Sequence, residues 1–235
     1  MSAEAQPVTG HPSAVAPLVV DGVSKVYGGR RGAKVTAVDN VSFTIAPGAA
    51  VSLVGASGSG KSTLAKMITG SERPSSGTIR FGDVAVEGLH AGGLRQYHSR
   101  VQMVFQDPYA ALNPLHTVAY HVMRPCQNFL GMSGAEANDR VHELLETVGL
   151  TPASQFAGKL PHQLSGGQRQ RVVIARALAC DPELIVADEP VSMLDVSLRA
   201  GVLRLLADLR AKRGLSLLYI THDLTTAYQV CDNIV

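Results

Sequence analysis

The sequence is short of several features that would define other kinds of protein. Its 235 residues include no tryptophan, only 5% aromatic residues and three cysteines. Cys126, Cys180 and Cys231 are odd in number, widely spaced and form no C-x-x-C pair. Neither a disulfide framework nor a zinc site is indicated, and a reducing compartment is expected. Charge of one sign is also scarce: 21 Lys and Arg against 19 Asp and Glu leave +2. A balance so close to neutral gives no general attraction to nucleic acid or to an anionic membrane. No apolar run approaches the roughly 18 residues of a membrane span, so any membrane role needs a partner. Internal repeats are missing as well. What is present, 46% hydrophobic and 17% charged residues, suits a soluble core built as one large domain or two small ones.

Residues 1–17 are rich in Ala, Pro and small polar residues. They lack the basic start and apolar centre of a signal peptide and are expected to form a disordered tail. After them, Leu18 to Val20, Val41 to Ile45 and Ala50 to Val54 read as strands, and a helix follows Lys61 and closes at Gly70. Thr78 to Phe81 and Val101 to Phe105 are further runs of strand length. Between Tyr109 and Gly158 the pattern turns helical, with apolar residues at helical spacing over Val118 to Phe129 and Glu136 to Gly149. Gln168 to Ala179 and Leu198 to Arg213 read as helices. Leu184 to Ala187 and Ser216 to Ile220 read as buried parallel strands. The expected fold is α/β, with an opening that is mostly β and a helical insertion.

The sharpest local signal is Gly55-Ala56-Ser57-Gly58-Ser59-Gly60-Lys61-Ser62, followed by Thr63. It matches the phosphate-loop pattern G-x-x-x-x-G-K-[ST], lies after an apolar strand and opens a helix. Glycines let the backbone wrap phosphates while N–H groups at the helix start face the anion. Lys61 would reach the β- and γ-phosphates and Ser62 would bind Mg²⁺. Leu184 to Ala187 then delivers two carboxylates, Asp188 and Glu189, to a strand end, where open α/β sheets bind ligands. Asp188 fits a Mg²⁺ position and Glu189 a base that polarises water; a turn or helix-start pair before Pro190 is the alternative. A third site, Leu164-Ser165-Gly166-Gly167-Gln168, precedes another helix and offers either a second anion-ready N-terminus or an ordinary cap.

With LSGGQ at 164–168 lying between the phosphate loop and the Asp188-Glu189 strand, the chain from about Leu18 onward resembles the ATP-binding cassette (ABC) family. The resemblance implies a P-loop NTPase core with an N-terminal antiparallel β subdomain and an inserted α-helical subdomain at about 109–180. It also implies ATP and Mg²⁺, enclosed between the phosphate loop of one subunit and Ser165, Gly166, Gly167 and Gln168 of another. Tyr27 resembles the aromatic that stacks on adenine, and Gln106 the glutamine that senses Mg²⁺ and water and couples to a membrane partner. Asp195 resembles the residue that touches the opposite subunit, with a helix cap as its alternative. His222 resembles the switch histidine on the γ-phosphate. The catalytic set so implied is Glu189, His222, Lys61 and Gln106, and the metal set is Ser62, Gln106 and Asp188.

Phe105-Gln-Asp-Pro-Tyr109, Leu112-Asn-Pro114 and Thr117-Val118 further resemble the ATPases of oligopeptide, dipeptide and nickel importers, although Met193 replaces a small residue usual there. That resemblance implies a second cassette, identical or paralogous, and two transmembrane permease subunits. It also implies a solute-binding protein reached indirectly, no nucleic acid, and a peripheral place on the cytoplasmic face of the cell membrane. A soluble non-transport cassette ATPase and a truncated cassette without turnover are the alternatives. The second arises because Asp232 to Val235 reads as the start of a strand, where family members usually continue.

Overall fold

The computed structural model describes residues 15–28 and 34–235. In chain order the first elements are β1 (Leu18–Gly28), β2 (Lys34–Ile45), β3 (Ala50–Val54) and α1 (Lys61–Ile68). Next come β4 (Ser76–Phe81), β5 (Val84–Ala85), α2 (Ala91–Arg100), β6 (Val101–Val104) and α3 (Pro108–Ala111). Helices α4 (Val118–Leu130), α5 (Gly134–Thr147), α6 (Ala153–Ala157) and α7 (Gly166–Leu178) follow. The chain then runs through β7 (Leu184–Asp188), α8 (Val196–Arg213), β8 (Ser216–Thr221), α9 (Leu224–Val230) and β9 (Asn233–Ile234).

The strands form two sheets. One is antiparallel, in the order β2-β1-β4-β5, and the other is parallel, in the order β6-β7-β8-β3-β9. Strands β7 and β8 are buried along their whole length, which is why they read as unbroken apolar runs. Their side chains alternate between two cores. Ile185, Ala187, Leu217 and Tyr219 join the helices α4, α5, α7 and α8. Leu184, Val186, Leu218 and Ile220 join α1 and the antiparallel sheet. The parallel sheet is therefore the shared wall of both cores, and the loops at its C-terminal edge are held from both sides.

Several elements differ from expectation for identifiable reasons. Strand β1 runs eight residues past Val20 because bulges between Val20 and Val26 break the period-2 pattern that marks a strand. Helix α2 has Gly92 and Gly93 in its first turn, so its sequence argues against a helix that packing nonetheless imposes. Of the expected tail, residues 1–14 lie outside the described residues. Residues 15–17 are tied to the fold: the Ala16 N–H donates to Glu183 Oε2 at 3.2 Å, and the Gly82 N–H to the Pro17 carbonyl at 2.9 Å. Asp232 to Val235 pairs with β3 as β9, with the Val235 N–H donating to the Ser52 carbonyl at 2.7 Å. Arg210 clamps this edge through Asp232 and the Gly48 carbonyl. No helix among the described residues is long and apolar enough to cross a membrane.

Candidate functional site

The phosphate loop joins β3 to α1 at the C-terminal edge of the parallel sheet. Gly60 has φ +95° and serves as the N-cap of α1 without any side-chain cap, and the first turn of α1 holds no acidic residue. The orphan N–H groups of this helix start are thus left for an external anion. Gly60 is also a contact: a Cβ there would stand 2.0 Å from the Ala37 carbonyl of β2. Only glycine fits. The Lys61 ammonium folds back over the loop and donates to the carbonyls of Gly55 at 2.7 Å and Ala56 at 2.8 Å.

Around this loop lies a cavity of about 600 Å³ lined by Ala56, Ser57, Gly58, Gly60, Lys61, Ser62 and Thr63, together with Ala37, Gln106, Glu189 and His222. Three of the expected residues, far apart in sequence, meet in it. Glu189 Oε2 accepts from Gln106 Nε2 and Glu189 Oε1 is bonded to His222 Nδ1, both at 3.2 Å. Glu189 sits just past the end of β7 at φ +46°, a conformation that costs a non-glycine residue about 1 kcal/mol or more. That kink, fixed by the Glu189 N–H on the Ile220 carbonyl at 2.9 Å, breaks strand alternation and turns the second carboxylate into the cavity.

Asp188 is 6% exposed, lines a second cavity of about 540 Å³ with Ser62, Lys66, Phe105, Gln106 and Arg176, and leaves its Oδ1 without a hydrogen-bond partner among the described residues. Burial pushes its carboxyl above the ordinary carboxylate range; the Ser62 hydroxyl and Lys61 pull it back, while the Glu189 charge adds to the rise. A buried, underbonded carboxylate oxygen beside a serine hydroxyl fits a hard divalent cation, which takes oxygen ligands. No group of three or more His, Cys, Asp or Glu able to hold a metal occurs among the described residues. Magnesium at phosphate sites does not need one, because it takes one or two protein oxygens plus phosphates and water.

Other expected residues stand apart from this cavity. Gly55 and Ser59 belong to the loop but are not among its lining residues. Tyr27, 39% exposed near the end of β1, lies opposite Val35 of β2 and has the Lys25 ammonium 5.0 Å from its ring. Ser165 is the N-cap of α7, where its hydroxyl accepts from the Gln168 N–H at 3.3 Å and Gln168 Oε1 accepts from the Ser165 N–H at 3.0 Å. This capping box, with Gly166 and Gly167 inside it, lies outside the phosphate cavity. Asp195 occupies the N-cap position of α8, yet its side chain makes no capping bond. Ala37 was not foreseen as a lining residue; the only sign of it in the sequence is the glycine at position 60 that β2 crosses.

A strand-held phosphate loop, a carboxylate pair at a neighbouring strand end and a LSGGQ helix start together define an ATP-binding cassette. Residues 38–192 match the family model described as ABC transporter, and the chain belongs to that family. It is 44% identical over 196 residues to the probable peptide ABC transporter ATP-binding protein y4tS of Sinorhizobium fredii, covering 83% of this chain and 55% of that one. It is 46% identical over 202 residues to the oligopeptide transport ATP-binding protein OppF of Bacillus subtilis, covering 85% and 66%. Among solved structures, the dimeric ATP-binding cassette MJ0796 bound to ADP and Pi superposes with TM-score 0.81 at 34% identity, over 91% of each chain. The chain thus spans little more than half the length of the first of these relatives.

Proposed function

We propose that this chain is the ATP-hydrolysing subunit of an importer that takes up oligopeptides, dipeptides or a nickel-type solute through separate membrane subunits. The observation that carries the reading is Glu189 held between Gln106 and His222 in the same cavity as an uncapped phosphate loop. Names of the relatives, peptide and oligopeptide transport proteins, support the solute class.

Nucleotide phosphates would take the N–H groups of α1 and draw the Lys61 ammonium off the Gly55 and Ala56 carbonyls. Ser62 and Asp188 would hold Mg²⁺, with Gln106 nearby; the ion, when bound, neutralises phosphate charge and offsets the cost of the buried Asp188 carboxylate. Glu189 would accept the proton of the attacking water, and His222 would orient Glu189 and meet the γ-phosphate. The exposed Tyr27 ring is read as the adenine platform. Ser165, Gly166, Gly167 and Gln168 act on the nucleotide of a second cassette, identical or paralogous, and the Asp195 carboxylate, which makes no capping bond, meets that partner. Helices α3 to α7 would face the permease, with the chain peripheral on the cytoplasmic face of the membrane.

The test is steady-state ATP hydrolysis by the purified chain and by Glu189→Gln, with size-exclusion chromatography of both in Mg²⁺-ATP. Turnover that rises with protein concentration and disappears in Glu189→Gln, together with a trapped mutant dimer, supports the reading. Equal turnover in both proteins contradicts the role of Glu189.

A further inference from the structure

Helix α3 has only four residues, too few to hold itself in place, so its position is set by what it rests on. It begins at Pro108, two residues after Gln106. Asp107 caps it, with Oδ1 accepting from the N–H groups of Tyr109 at 2.7 Å and Ala110 at 3.2 Å. Its support is α7, which holds it at both ends. At one end the Arg169 guanidinium lies 4.1 Å from the Tyr109 ring centroid while donating to the Pro161 carbonyl at 2.7 Å. At the other end Arg176 Nη1 donates to the carbonyl of Ala111, the last residue of α3, at 2.5 Å. A terminal helix carbonyl has no partner within its own helix, so this bond closes α3 onto α7.

Arg176 is an expensive residue for the position. Burial pushes its pKa below the ordinary arginine value. A side chain needed only to fill space would be apolar there. The charge is retained where one end of the loop bearing Gln106 must be fixed, and Gln106 in turn donates to Glu189. The same helix α7 begins at the Ser165 capping box. One rigid element therefore carries a glycine-rich start at one end and a grip on the glutamine loop near the other.

We propose that Arg176 is a positioning residue that fixes α3 on α7, so that the pose of Gln106 against Glu189 follows the position of α7. The proposal rests on the ATP-hydrolysing reading above. A displacement of α7 when its N-terminus meets a second cassette is thereby passed to Gln106 in the chain's own site.

The absence of tryptophan from the chain supplies a clean probe. Phe105→Trp places a single indole next to Gln106, at a position 46% exposed. In this background and without nucleotide, Arg176→Met should raise acrylamide quenching about two-fold, because the loop gains local freedom. Arg176→Lys, which keeps a donor, should restore most of the protection. In steady-state assays Arg176→Met should lower kcat about ten-fold with KM for ATP within about two-fold, the pattern of a misplaced reacting group rather than of weakened binding. Unchanged quenching in Arg176→Met, or kcat per folded molecule equal to the parent's, overturns the proposal. If Arg176→Met does not fold, Tyr109→Ala releases the other end of α3 at a residue 58% exposed. It should raise quenching in the same direction, and no change there is equally fatal. Quenching that responds as stated in a parent that never hydrolyses ATP would instead sink the ATPase reading while leaving the grip of Arg176 on the loop established.

Discussion

The chain contains two glycine- and serine-rich helix starts, and they are in opposite states. At α1 the cap is a left-handed glycine with no side chain to satisfy the first N–H groups, and the start opens into the phosphate cavity. At α7 the same kind of sequence closes on itself, since Ser165 and Gln168 satisfy one another in a capping box away from the cavity. Composition does not separate the two; the presence or absence of a side-chain cap does. An uncapped start is a seat for an anion within its own chain. A self-capped start keeps its helix in order, and on the proposed reading its remaining donors serve the nucleotide of a second cassette.

The largest expected effect comes from placing the same substitution at both starts. Gly60→Ala combines φ +95° with a Cβ 2.0 Å from a backbone carbonyl, so it should cost at least about 2 to 3 kcal/mol of stability and abolish nucleotide binding. At Gly166 a Cβ would meet nothing closer than 3.5 Å, and Gly166→Ala should leave stability within about 0.5 kcal/mol. Chemical denaturation of both variants checks the pair. Comparable losses would erase the distinction between the two starts.

Next in size, Glu189→Gln should lower kcat about 10² to 10⁴-fold, as expected for a lost general base. It should leave nucleotide affinity near that of the parent, as read by titration calorimetry. Asp188→Asn should act on stability in the opposite sense from most core changes. Its folded pKa is raised above 3.8, chiefly by burial. The carboxyl therefore contributes most stability below that value and loses it as pH rises through the folded pKa. At neutral pH the nucleotide-free Asn variant should melt higher than the parent, while its Mg²⁺ dependence weakens at least about ten-fold. Thermal melts at pH 5 and pH 8, with and without Mg²⁺-ATP, test the sign. A smaller loss is expected of Ser165→Ala, which removes one half of the α7 capping box and should cost about 1 kcal/mol by denaturation.

Legibility followed the range of the interactions involved. The phosphate loop, the buried β7 run and helices α7 and α8 depend on neighbours in sequence, and their patterns were visible in it. Strand β1 was shortened in prospect because its bulges disguise alternation. Helix α2 was missed because glycines weaken it and the fold supplies what propensity lacks. Ala37 enters the cavity only because β2 crosses Gly60. The bonds of Glu189 to Gln106, 83 residues away, and to His222, 33 residues away, are products of strand order in the parallel sheet. The residue types at these three positions were readable, whereas their mutual contacts depend on β6, β7 and β8 lying side by side. The left-handed turn at Glu189 has no sequence sign, since nothing about a glutamate announces it.

The measurement that bears most directly on the contrast between the two helix starts is calorimetric titration of Mg²⁺-ATP into Glu189→Gln protein kept dilute enough to be monomeric. It should be repeated with Lys61→Ala and with Ser165→Ala added. The α1 seat predicts one nucleotide per chain, abolished by Lys61→Ala and altered less than about two-fold by Ser165→Ala, because the α7 start serves no nucleotide in its own chain. Retained binding in Lys61→Ala, or binding lost in Ser165→Ala, would contradict the account.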